Sequence, residues 1–246
     1  LSGSRRPRLS MLRQLLYRVG MAFRETGQAL DRAGKRFVED KDFFNKFSRH
    51  RQVMNLVDKK PFVAGDSILS PSATIVGDVR LSNKVTVWYN AVLRGDSASI
   101  KVASGACIQE RVVITVTPSV TSDGGVPVQI GTNVIIEPGA VLTSCTVENN
   151  AVIGAGAVVM EGALVEEGAQ VLPGTVVPAG RRVPAKQVWG GNPAKQVGEV
   201  SDAEVEAVRD RADTLYMIAQ EHDYEFLPYG TLYQDVERLR AAEGAN

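Results

Sequence analysis

The sequence predicts an all-β solenoid coiled from hexapeptides. Three observations carry this: an aliphatic residue returns at every sixth position, a small residue follows it four places on, and a period of six fits neither a helix nor a hairpin meander. Seven consecutive anchors share the spacing: Val147, Ile153, Val159, Val165, Val171, Val177 and Val183. Ala151, Ala157, Ala163, Ala169 and Thr175 supply the small residues. Upstream the period recurs in shorter runs, at Ile75, Leu81, Val87 and Leu93, at Val102, Ile108 and Ile114, and at Ile130, Ile136 and Leu142. Each hexapeptide then forms one flat face, and three faces make a coil. The anchor points inward and the small residue lets the chain turn the corner. Parallel strands stacked in this way bury a continuous apolar stripe and hydrogen-bond to the coils above and below.

This reading divides the chain into a basic arm with an amphipathic helix at 1–60, the hexapeptide-repeat β-helix at 61–195, and a helix with an acidic tail at 196–246. The register breaks between Thr115 and Val128, where a stretch rich in Pro, Gly, Thr and Ser predicts a loop ejected from the coil. The chain has 246 residues, and its 44% hydrophobic content is enough for a substantial core. No apolar run approaches the length of a membrane span. Cys107 and Cys145 form no CxxC pair and predict neither a disulfide framework nor a zinc knuckle.

The zero net charge conceals a polarity. Residues 1–38 carry nine Arg and Lys against Glu25 and Asp31, a net +7, while residues 201–246 carry four Arg against eleven acidic residues, a net −7. The middle carries fifteen of each sign and offers no basic patch, which excludes nucleic acid as a partner. In the basic arm, Leu12, Leu16, Val19, Phe23, Thr26, Leu30, Ala33 and Phe37 recur at spacings of four and three. They make one apolar helical stripe, suited to peripheral contact with membrane lipid or to docking on a partner or on the chain's own solenoid. The start, LSGSRRPRLS, is presequence-like. At the other end, Ser201 and Glu204 predict a capping box. The helix it opens has its apolar face at Val205, Val208, Ala212, Leu215 and Ala219. The tail beyond it, with Tyr224, Phe226, Leu227, Tyr229 and Tyr233, is expected to dock rather than float.

Several stretches resemble the gamma-class carbonic anhydrases: VLRGD (Val92–Asp96), IQE (Ile108–Glu110), IGTNVIIEPGAVLTSCTV (Ile130–Val147), IGAGA (Ile153–Ala157) and WGGNPAK (Trp189–Lys195). TGQALDRAG (Thr26–Gly34) and SRHRQVMNLVDKKP (Ser48–Pro61) are similar to the subgroup attached to mitochondrial complex I in plants, algae and some protists. The resemblance implies a left-handed coil and a trimer, with a place on the matrix side of the inner membrane. It also implies Zn²⁺ held by three histidines at subunit interfaces, two from one chain and one from its neighbour, with a metal-bound water that hydrates CO₂. The matching positions here are Thr115, Pro138 and Thr143, and none is histidine. The only histidines are His50 and His222, both outside the coil.

The resemblance therefore implies a vestigial site, with no zinc, no other cofactor and no catalysis. Arg94 and Asp96 match a family pair that bridges subunits, and Gln109 matches a residue near the metal water. Without zinc, Arg94 and Asp96 are expected to serve trimer assembly through a charge-assisted bond. Glu110 and Glu137 flank the site and are the carboxylates that could offer oxygen to a hard cation. Cys145 reads as coil filler. The expected role is that of a structural subunit, joined to sister gamma-carbonic-anhydrase-like chains in a homo- or heterotrimer and to membrane-arm subunits of complex I. Two other functions compete: an active zinc carbonic anhydrase, and a hexapeptide-repeat acyltransferase, which commonly needs a histidine general base at the coil.

Overall fold

The computed structural model describes residues 50–118 and 125–226, together with individual residues between 19 and 37. The chain forms two compact units, one of residues 50–226 and one of residues 1–49 with 227–246. In the second unit the described residues between 19 and 37 are helical, as the spacing predicts. Val19, Phe23, Leu30 and Phe37 on the apolar stripe are exposed. The presequence-like start, the loop tip at 119–124 and the tail from Leu227 lie outside the described residues.

The larger unit is a left-handed parallel β-helix with seven rungs on each of three faces. The first face stacks β3 (Ile68–Leu69), β5 (Thr86–Val87), β7 (Cys107–Ile108), β10 (Ile135–Ile136), β13 (Val152–Ile153), β16 (Gln170–Val171) and β19 (Gln187–Gly190). The second stacks β1 (Val53–Met54), the starts of β4 (Thr74–Leu81) and β6 (Val92–Val102), then β8 (Val113–Thr115), β11 (Val141–Thr143), β14 (Val158–Val159) and β17 (Val176–Val177). The third stacks β2 (Phe62–Val63), the ends of β4 and β6, then β9 (Val128–Ile130), β12 (Thr146–Val147), β15 (Leu164–Val165) and β18 (Arg182–Val183). β20 (Lys195–Glu199) closes the first face antiparallel to β19. Parallel pairing begins at Val53↔Ile75, ahead of residue 61, where the hexapeptide period becomes visible.

The anchors build the core as the period predicts. The least buried of them, Ile130, is only 3% exposed, and the small residues of the corners are equally enclosed. Corners turn through a residue at positive φ, which glycine tolerates and Asn tolerates better than most side chains. At one column Asn133 and Asn150 take this conformation. Their side chains stack there with Glu167, and Arg209 Nε donates to Asn150 Oδ1 at 3.1 Å.

The capping box opens α1 (Asp202–Glu225). Ser201 Oγ accepts from the Glu204 N–H, and the Glu204 carboxylate accepts from the Ser201 N–H at 2.7 Å. Val208, Ala212 and Ala219 then pack on the first face, against Ile135, Trp88 and Cys107. The helix runs back along the solenoid, from the Lys186–Asp202 pair near the last rungs to His222 beside Trp88 and Tyr89. Replacing Ser201 by Ala should cost about 1 kcal/mol in unfolding experiments. The Ser201 hydrogen bonds hold the Glu204 carboxyl below its usual range. Its stabilising part is therefore present above the ordinary glutamate value and is lost as pH falls through the depressed one. The gap between wild type and Ser201→Ala should narrow on acidification; a gap independent of pH would contradict the capping account.

Candidate functional site

The three faces differ in what they turn outward. The first is covered by α1. The third presents Phe62, Arg80, Lys101, Gln129, Thr146, Leu164 and Arg182 in register, a mostly polar column. The second presents Val92, Val113, Val141, Val158 and Val176, five valines stacked on consecutive rungs and only half-buried. A β-branched ladder of this kind, on a sheet face against which no other described element packs, is the composition of a surface that another element packs against.

The residues singled out in the sequence lie at the two edges of this valine face. At the edge where it meets the third face, Arg94, Thr115 and Thr143 occupy one register column on three consecutive rungs. Thr115 Oγ1 and Thr143 Oγ1 are 3.4 Å apart. Arg94 Nε reaches Asp96 Oδ2 at 3.1 Å within the chain, with side chains 54% and 34% exposed. An exposed pair of this kind contributes little to the stability of one chain. Asp96 Oδ1 accepts from the Ser97 N–H at 2.8 Å, and Lys59 donates to the carbonyl oxygens of Asp96 and Ser97. The loop after Thr115 leaves from this same edge, and its base is held by the Thr117 N–H donating to Ser144 Oγ at 2.8 Å.

Gln109 and Pro138 lie at the opposite edge, where the first face turns into the second. Pro138 takes the first corner position and Gly139 the second, at φ 72°. This is the Pro-then-Gly order that a type II turn favours. The structure thus brings Arg94, Thr115 and Thr143 together and holds Gln109 and Pro138 apart from them across the width of a strand.

Glu137 is not available to a cation in the way its sequence position suggests. Its Oε2 accepts from the Ala155 N–H at 3.1 Å and its Oε1 from Arg211 Nη2 at 2.7 Å. Among the described residues no three His, Cys, Asp or Glu side chains gather as a metal cluster. Burial pushes the Cys145 thiol up to about 12 and also raises the Cys107 thiol, so neither is a ready thiolate. His50 Nε2 lies 3.2 Å from the Ala73 carbonyl oxygen, and His222 Nδ1 lies 2.9 Å from the Tyr89 hydroxyl. The sequence did not reveal Arg211 or Lys59 as partners of the site, because both contacts depend on how elements outside the repeat dock on the coil.

Gamma carbonic anhydrase 3, mitochondrial, of Arabidopsis thaliana is 49% identical over 209 residues, covering 85% of this chain and 81% of its own length. The chain belongs to the gamma carbonic anhydrase family. Gamma carbonic anhydrase-like 2, mitochondrial, from the same plant is 42% identical over 196 residues, covering 79% and 76% of the two chains. Residues 54–223 match the model of the Dynactin subunit 5 family, so this family member also belongs to the sequence family built on that β-helix domain. Among solved structures, a hexapeptide transferase family protein from Anaplasma phagocytophilum superposes with a TM-score of 0.64 at 29% identity, covering 70% of this chain and 99% of its own.

A three-imidazole zinc site does not fit the residues present. Neutral hydroxyls at Thr115 and Thr143 are poor ligands for zinc, which takes thiolate, imidazole or carboxylate. The Pro138 ring has no lone pair to donate.

Proposed function

We propose that this chain is a non-catalytic structural subunit of a gamma-carbonic-anhydrase-like trimer. In this reading the trimer lies on the matrix side of the mitochondrial inner membrane, attached to the membrane arm of respiratory complex I. The observation that carries the proposal is the meeting of two threonine hydroxyls, 3.4 Å apart, at the edge to which the family resemblance assigns imidazoles. A water beside two hydroxyls keeps its ordinary pKa, so no hydroxide nucleophile forms near neutral pH. The valine face supports the assembly half of the proposal, since it is the one solenoid face of β-branched apolar residues that α1 leaves uncovered. Arg94 and Asp96, paired within the chain and partly exposed at the edge of that face, are the charged groups that this reading assigns to a neighbouring chain. The mitochondrial relatives support the compartment.

Hexapeptide-repeat acyltransferases commonly need a histidine base at the coil, and here His50 engages the Ala73 carbonyl oxygen and His222, on α1, the Tyr89 hydroxyl. For attachment, the exposed stripe of Val19, Phe23, Leu30 and Phe37 on the basic helix is the anchor. Deleting residues 1–38 should leave a folded trimer that no longer joins the large assembly. A truncated protein that still co-migrates with complex I on native gels would remove the helix from this role.

A further inference from the structure

Residues 50–62 strap the open first coil of the solenoid, and Gln52 and Lys59 tie the strap down while Arg51, Asn55, Asp58 and Lys60 stay exposed. Gln52 Nε2 donates to the Leu69 and Ser70 carbonyl oxygens at 2.8 Å. Leu56 and Lys59 exchange both backbone hydrogen bonds at 2.9 Å, closing a tight turn. The Lys59 ammonium is directed at the β6 backbone. Beside these polar groups the strap also turns large apolar side chains outward. Val57, at the tip of the turn, is 86% exposed, and Phe62 is 63% exposed.

Val57 also sits at φ 51°. A β-branched side chain in the left-handed region is strained, and Asn, Asp or Gly would hold the same turn more cheaply and with better solubility. Strain of this kind clusters at sites where function holds it. The surroundings are cationic on balance, with the exposed carboxylate of Asp58 next to Val57 as an opposing charge. Lys60 and Arg80 line an open groove of about 500 Å³ beside Phe62, and Lys101 follows Arg80 in register on the next rung. The acid of the groove is Asp78, 3.4 Å from Arg80.

We infer that this strap is a docking surface for an anionic lipid bilayer. Val57 and Phe62 enter the boundary between headgroups and acyl chains, while Lys60, Arg80 and Lys101 face lipid phosphates. Among the described residues no helix is long and apolar enough to cross a membrane, so the contact is peripheral. The inference rests on the membrane-side placement proposed above and adds a second anchor, on the solenoid itself, to the basic segment at 1–38. Peripheral anchoring becomes stable when two such signals act together.

The test uses the full chain and sedimentation with phosphatidylcholine vesicles, with and without phosphatidylglycerol. Wild type should bind the anionic vesicles in preference to the neutral ones. Val57→Asn with Phe62→Ser should weaken that binding at least about tenfold, since two bulky apolar side chains leave the interface. The thermal midpoint should be unchanged or raised, because Asn accepts the left-handed turn. Lys60→Gln with Lys101→Gln should reduce the preference for anionic lipid without altering the fold. A tip variant that binds like wild type would overturn the inference and leave lipid contact to residues 1–38 alone. Wild type indifferent to anionic vesicles would also overturn it; loss of co-migration with the large assembly by the tip variant would then assign the tip to a protein surface. Neither result bears on the zinc content or the trimer, so the proposed function stands or falls separately.

Discussion

Installing three imidazoles, by Thr115→His, Pro138→His and Thr143→His together, should give a homotrimer that binds about one zinc per chain, where the proposed function expects none in the wild type. Thr115 and Thr143 are already register partners with their hydroxyls 3.4 Å apart, so two imidazoles there would share one edge. The third ligand must arrive from the opposite edge of a neighbouring chain, which is where Pro138 sits. From sequence, Pro138 looks like an obstacle, because proline fixes φ and removes an N–H. The structure removes that concern. At the same corner one coil on, the Ala155 N–H donates to the Glu137 side chain and not to the ladder between coils. Histidine at 138 therefore restores no missing ladder bond and disrupts none, and Gly139 continues to supply the positive φ. The double variant lacking Pro138→His should bind zinc far more weakly, with two imidazoles where three are needed. Elemental analysis of the purified oligomers, with cobalt absorption as a check on tetrahedral geometry, reads both outcomes. A folded, trimeric triple variant without metal would contradict the edge-to-edge account.

The second large effect is on stability. Gly77 lies at φ 83° and faces Gly95 in register, where an added Cβ would stand 2.1 Å from the Gly95 carbonyl oxygen. Gly77→Ala thus combines left-handed strain with a backbone clash, and should cost at least about 3 kcal/mol. That corresponds to a loss of roughly 6–12 °C in the thermal midpoint of a domain of this size. Gly174, at φ 66° with open space around its missing Cβ, is the control. Gly174→Ala should cost about 1 kcal/mol, the strain without the clash. Equal losses in the two variants would show that contact between the coils at Gly77 and Gly95 does not limit stability. Because Gly95 separates Arg94 from Asp96, Gly77→Ala should also disturb that pair and weaken trimer assembly.

The solenoid was legible because its signal repeats. Each anchor from Ile75 to Val183 meets the same inward environment, so one spacing rule places them all. The capping box at Ser201 and Glu204 was legible for the opposite reason, being a purely local arrangement. The first coil was not, since Val53 and Met54 pair with β4 through a strap that departs from the hexapeptide period. The site was legible as a list of residues but not as a geometry. The sequence could not divide Thr115 and Thr143 from Pro138, because the division depends on which edge of the prism each corner occupies. Nor could it show that Arg211 reaches Glu137, a contact between residues 74 positions apart that depends on how α1 lies on the first face.

The metal content of the purified wild-type oligomer, measured alongside its CO₂ hydration rate, reads whether the site supports zinc chemistry. The oligomer should hold no stoichiometric zinc and hydrate CO₂ no faster than buffer. One zinc per interface, with hydration abolished by a chelator and restored by zinc, would contradict it.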